Sequence, residues 1–149
     1  MRGYFIVGIE KPKSTHNIGS LYRTAHSFGA GGLFWIKRNN NKRVIKQASD
    51  TTKAWRHIPL FKYNSTEEFL RNGVPHGCQL IGIELHERAR SLKDFVHPER
   101  AVYILGAEDY GLSKEALEKC VHIIQLPGKY CLNVSVAGSI VLCDRILKQ

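Results

Sequence analysis

Three stretches of this 149-residue chain combine glycine with side chains that can handle a polar ligand. The first runs Glu10-Lys-Pro-Lys-Ser-Thr-His-Asn17-Ile-Gly-Ser-Leu-Tyr-Arg23. Asn17 fits an amide ligand and equally a plain helix N-cap, and Arg23, six residues on, either reaches over the helix's polar side or faces solvent. In the second, Leu105-Gly106-Ala-Glu108-Asp-Tyr-Gly111-Leu, two glycines bracket an acidic pair. Glycine at a strand end lets a ligand touch backbone, and a carboxylate there accepts hydrogen bonds from hydroxyls or amines, although an ordinary strand-to-helix turn reads the same way. The third, Ile124-Gln-Leu126-Pro-Gly-Lys-Tyr-Cys131-Leu132-Asn133-Val-Ser-Val-Ala, leads a buried strand through a Pro-Gly loop into a helix with a polar start. A small-molecule pocket closed by carbonyls and helix-terminal N–H groups needs such a layout, and so does a simple loop plus cap.

Other chemistries find no support. Gly29, Gly31 and Gly32 have the wrong spacing for a dinucleotide fingerprint, and no phosphate-cradling G-x-x-x-x-G-K-[ST] occurs. Cys78, Cys120, Cys131 and Cys143 lie far apart without a C-x-x-C pair, and the seven histidines form no H-x-x-x-H pair, so no metal is expected. Trp35 and Trp55 read as core or interface residues rather than base-stacking platforms.

The elements that must position these stretches are strands alternating with helices. Apolar runs at Tyr4–Ile9, Gly32–Ile36, Ile58–Lys62, Gln79–Leu85, Ala101–Leu105 and Val121–Leu126 are nearly continuous, as strands buried on both faces should be. Between them fall a helix capped by Asn17 and ended by Gly29, a capping box at Ser65–Glu68, a helix preceded by Ser113, and a broadly apolar helix from about Val134 to Leu147. The pattern predicts an α/β domain with a mainly parallel sheet flanked by helices, whose ligands sit beyond the C-terminal strand ends. At roughly 100–200 residues per domain, residues 1–149 are expected to form one domain.

The chain carries a net charge of +9, with 43% hydrophobic and 23% charged residues, so disorder is a poor reading. Up to Arg71 there are 13 Lys/Arg against 4 Asp/Glu, and beyond it 9 against 9, so the whole excess lies in the first half. Such asymmetry points to a polyanion or to a merely solubilising surface. The loop Lys37-Arg38-Asn-Asn-Asn-Lys42-Arg43 is the expected polyanion-contacting and flexible segment. No apolar run approaches the ~20 residues that cross a bilayer, and the free-cysteine pattern suits a reducing cytoplasm.

Taken together and in order, the three stretches resemble the signature motifs of the SpoU-type (TrmH-like) ribose 2′-O-methyltransferases, within the SPOUT class of RNA methyltransferases. The likeness covers nearly the whole chain: Asn17 to Gly29 is similar to the first motif, Leu105 to Leu112 to the second, and Ile124 to Ala137 to the third. It implies S-adenosylmethionine as methyl donor, held in a bent shape by Leu105, Gly106, Ile124, Leu126, Cys131 and Leu132. It places Arg23, Asn17, Glu108 and Asn133 around the reacting ribose. It further implies an RNA partner, tRNA in preference to rRNA, a homodimer that buries the last helix, and a deep C-terminal trefoil knot.

One departure is Cys131, where the family usually has Ser, because a thiol is the weaker hydrogen-bond partner. It keeps open a non-catalytic RNA-binding member of the same fold; rRNA 2′-O-methylation is a further alternative, and base methylation by a related knotted enzyme fits the fold but not the Asn17–Arg23 spacing. The resemblance casts Arg23 as the base, yet a guanidinium is a very poor proton acceptor because it holds its own proton so tightly, so a clamp on the adjacent phosphate is the second role.

Overall fold

Burial on both faces demands parallel pairing with helical crossovers, and every strand pair in the sheet is parallel. The computed structural model describes residues 3–13, 15–38 and 56–149. Its strands are β1 (Tyr4–Glu10), β2 (Gly32–Ile36), β3 (Leu60–Tyr63), β4 (Gln79–Ile83), β5 (Arg90–Ser91), β6 (Arg100–Leu105) and β7 (His122–Gln125). They lie in the order β3-β2-β1-β6-β4-β7-β5. The helices are α1 (Thr15–Ser27), α2 (Thr66–Asn72), α3 (Lys114–Lys119) and α4 (Val134–Leu147).

Alternation along the strands feeds two cores. Phe5, Val7 and Ile9 point to one face, where Ile18 and Leu21 of α1 meet Val141 and Leu142 of α4. Ile6, Val102 and Ile104 point to the other, against Phe69 of α2 and Ala116 of α3. Trp35 joins the first core as expected, whereas Trp55, Lys42 and Arg43 lie outside the described residues. No helix among the described residues is long and apolar enough to cross a membrane.

The caps carry the element boundaries. Ser65 Oγ accepts from Glu68 N at 3.0 Å, while Glu68 Oε2 takes the N–H of Asn64 rather than that of Ser65, so the capping box closes one residue early. Ser113 Oγ caps α3 by accepting from Ala116 N at 3.1 Å, and Asn133 Oδ1 caps α4 by accepting from Val136 N at 3.2 Å.

Three expectations are corrected. Strand β3 begins after Pro59 rather than at Ile58, since proline has no N–H to give the ladder. It lies at the sheet edge with Phe61 and Lys62 exposed, so it is not buried on both faces. Helix α1 already includes Thr15 and His16, so Asn17 sits inside its first turn and is not the cap. The two-residue β5 and the 3-10 turn at Leu92–Asp94 add an edge that the apolar runs do not announce.

Candidate active site

A cavity of about 500 Å³ opens at the C-terminal ends of β4, β6 and β7. Its walls come from the segments after those three strands and from the start of α4. The middle segment shapes it most. After Leu105 the chain turns back on itself through 107–111, closed by Gly111 N donating to Ala107 O at 2.9 Å. A Cβ on Gly106 would lie 2.1 Å from the carbonyl carbon of Gly111, so the two limbs touch backbone to backbone. Gly111 adopts φ +68°, a left-handed conformation that other residues reach only at a cost.

That turn presents Glu108 at its exposed tip, and the carboxylate ties two motifs together. Asn17 Nδ2 donates to Glu108 Oε1, and Lys13 N donates to Oε2 at 2.8 Å. Asn17 is itself buried, which follows from its place within the first turn of α1 instead of at the cap. Asp109, next along, takes a bidentate pair from Arg38 at 2.9 and 2.7 Å. The guanidinium holds the Asp109 carboxyl well below the usual carboxylate range, at about 2.

The other expected residues divide. Leu105, Gly106, Leu126, Cys131 and Leu132 line the cavity. Ile124 is wholly buried in the sheet, and its carbonyl accepts from Glu84 N at 3.0 Å. Asn133 is exposed beside the cavity-lining Leu132 and Val134, and its side chain caps α4. Arg23 stands on the exposed face of α1, outside the cavity lining. Lys37 is exposed, while its backbone N–H extends the β2–β3 ladder to Tyr63 O at 2.8 Å.

One wall is new. Glu84, directly after β4, accepts from Leu112 N at 2.8 Å through Oε2 and from Leu85 N at 3.0 Å through Oε1. It thereby pins the far end of the Gly106–Leu112 turn. The signal for it lay in the strand-end rule: a carboxylate ends the apolar run Gln79–Ile83 just where the ligand side of the sheet begins. Deeper down, Glu10 at the end of β1 is almost wholly buried. It accepts from Ser113 N and Ser113 Oγ at 2.7 Å each, and from Thr66 Oγ1, fastening α2 and α3 to the sheet below the cavity.

A pocket of this size lies within the roughly 300–1,000 Å³ of small-molecule sites and is walled largely by backbone and apolar side chains. Its rim carries an amide and a carboxylate already oriented toward each other.

The profile of the SpoU rRNA Methylase family matches residues 4–143. A TrmH family tRNA/rRNA methyltransferase of Staphylococcus haemolyticus is 28% identical over 145 residues, covering 95% of this chain and 57% of that protein. The chain therefore spans little more than half the length of that relative. Among solved structures, the SpoU methyltransferase AviRb from Streptomyces viridochromogenes, in complex with the cofactor AdoMet, superposes with a TM-score of 0.83 at 22% identity. That match covers 99% of this chain and 58% of AviRb. A structure described as giving insight into the 2-OH methylation of C/U34 on tRNA gives a TM-score of 0.84 at 21% identity, covering 99% of this chain and 97% of that one.

Proposed function

Because the chain belongs to the SpoU rRNA methylase family, we propose that it transfers a methyl group from S-adenosylmethionine to a ribose 2′-hydroxyl of RNA. The observation that carries this reading is the junction at Glu108, where the first motif meets the second at the rim of a cavity walled by the second and third.

The residues fit the donor. Backbone around Leu105, Gly106, Leu126 and Leu132 would hold it, and the touching limbs at Gly106 and Gly111 leave no side chain to fill its place. When bound, S-adenosylmethionine supplies an electrophilic methyl carbon on a sulfonium sulfur. The chain's own residues must then bring a weakly nucleophilic hydroxyl into line and let its proton pass to solvent water, so positioning supplies much of the acceleration. Glu108 and Asn17, locked to each other, offer an acceptor and an amide to the ribose at the rim. Arg23 clamps the neighbouring phosphate and stabilises the developing alkoxide, a role that suits a guanidinium better than that of base. Asn133 orients the start of α4, and Cys131 occupies the wall position where the family usually carries Ser.

Transfer RNA is the proposed substrate class, supported by the likeness in fold to the structure concerned with 2-OH methylation on tRNA. A second copy of the chain covers the outer stripe of α4, where Val136, Ile140 and Leu147 stand exposed at helical spacing. The single-domain organisation of residues 1–149, a cytoplasmic location and the deep trefoil knot belong to the same proposal.

Incubating the protein with labelled donor and total RNA, then mapping the labelled nucleotide, tests the reading. One labelled tRNA position is expected. RNA without label, despite measured binding of donor and RNA, would favour the non-catalytic member that Cys131 keeps open.

A further inference from the structure

The first-half charge excess makes Arg38 a candidate RNA ligand, but four of its five N–H donors are engaged within the protein. Two residues beyond β2, the guanidinium gives Nη1 and Nη2 to Asp109 Oδ2 and Oδ1 at 2.9 and 2.7 Å. Its Nε and Nη2 also donate to the Lys11 carbonyl at 3.1 and 2.8 Å. The guanidinium carbon lies 5.7 Å from the ring centroid of Tyr110.

Both segments it grips lead directly to Glu108. Asp109 is the next residue in the turn, and Lys11 lies two residues before Lys13, whose N–H donates to Glu108 Oε2. Lys11 has φ +53°, a left-handed backbone that a non-glycine residue holds only when its surroundings fix it. Two contacts fix it: the Lys11 N–H donates to Ile36 O at 2.9 Å, and Arg38 holds the Lys11 carbonyl. The rigid fork of a guanidinium suits such a double grip, since a carboxylate and a carbonyl are bound in one plane at once.

We infer that Arg38 is a positioning residue for the methyl-transfer site, acting through Asp109 and Lys11 to hold the Glu108 carboxylate at the cavity rim, and is not an RNA ligand. The inference rests on the proposed methyl-transfer reading for its catalytic consequence, and on the contacts alone for its structural one. The clamp needs Asp109 ionised, and with its carboxyl held near 2 that condition is met across the neutral range.

The test compares Arg38→Ala, Arg38→Lys, Asp109→Asn and the double variant Arg38→Ala/Asp109→Asn. Backbone amide exchange of segment 106–112 is the first readout, and kcat and KM for RNA are the second. Each single variant is expected to speed exchange in that segment and to lower kcat by about 10–100-fold, with KM for RNA changed by less than about twofold. The double variant should be no worse than either single one, because both break the same contact. Arg38→Lys should recover only part, lacking the fork. Asp109→Asn keeps the shape of the side chain and decides the question if removal of Arg38 prevents folding.

Unchanged exchange in 106–112 would overturn the clamp. A raised KM for RNA in Arg38→Ala, with a salt slope shallower by about one and normal kcat in Asp109→Asn, would make Arg38 a phosphate ligand instead. Absence of methyl transfer by the wild-type protein would refute the functional reading while the exchange measurement still decided the clamp.

Discussion

Replacing Gly106 by alanine probes the cavity wall with a single methyl group. The added Cβ would lie 2.1 Å from the Gly111 carbonyl carbon and 2.2 Å from Leu112 N, and both are backbone atoms that no rotamer change can move aside. The 107–111 turn must open, which also strains the Glu84 contact to Leu112 N. Overpacking of this kind costs about 1–3 kcal/mol. At roughly 2–4 °C per kcal/mol for a chain of this size, the melting temperature should fall by about 2–12 °C. Donor affinity should fall by about tenfold or more, since even 1.4 kcal/mol of displaced wall is a factor of ten. Gly29→Ala is the matched control: φ is +82°, with nothing within 4 Å of the new Cβ. It should lose about 1–2 kcal/mol to left-handed strain and leave donor binding intact. Calorimetric titration of S-adenosylmethionine with thermal melts of both variants measures the contrast. A Gly106→Ala protein that binds donor as tightly as the wild type would refute the assignment of this turn to the binding wall.

Glu10→Ala removes the acceptor of three donors in a buried setting and should cost about 3 kcal/mol or more by urea unfolding, with Glu10→Gln losing less. A loss under about 1 kcal/mol would show that solvent replaces the carboxylate. Burial pushes His97 below its ordinary value of 6.5, against the pull of Asp144, so the folded protein binds that proton more weakly than the unfolded chain does. Its contribution to stability is therefore full above about 6.5 and is lost as pH falls from there toward the folded-state value. Melting curves between pH 5 and 8 should show that decline, and His97→Gln should flatten it; an unchanged profile would assign the decline elsewhere. Ile140→Glu places a charge on the exposed apolar stripe of α4 and should give a folded monomer by sedimentation where the wild type is expected to sediment as the proposed dimer. Equal sedimentation of the two would move the interface off α4.

Much of the architecture was legible because burial leaves a strong mark on sequence. Strands β1, β2, β4, β6 and β7 and helix α4 fall where continuous apolar runs or a broad apolar surface announce them. The two-residue β5 was not legible, since its edge pairing through Arg90 and Ser91 has no period to detect. At the site, glycine spacing exposed the turn at Gly106 and Gly111, because close backbone approach tolerates nothing larger. Asn17 was misread as a cap because capping and ligand roles use the same side chain. Only the start of α1 at Thr15 and the hydrogen bond to Glu108 separate them. Arg38 shows the limit of charge counting, which sums cations without knowing which are already bonded to carboxylates far along the chain. Glu84 carries a sequence signal only in its place at a strand end, because its partner Leu112 is distant in sequence.

Nucleoside analysis of the reacted RNA distinguishes ribose from base as the acceptor of the methyl group. RNA treated with wild-type protein and donor is digested to nucleosides, with a parallel sample cleaved by alkali. The methyl should reside on the sugar of one nucleotide, at a phosphodiester that alkali no longer cuts because a methylated 2′ oxygen cannot attack it. Arg23→Ala should bind the donor and yield no such product. A methyl found on a base nitrogen, or full ribose methylation by Arg23→Ala, would contradict the assignment of these three loops to ribose 2′-O-methylation.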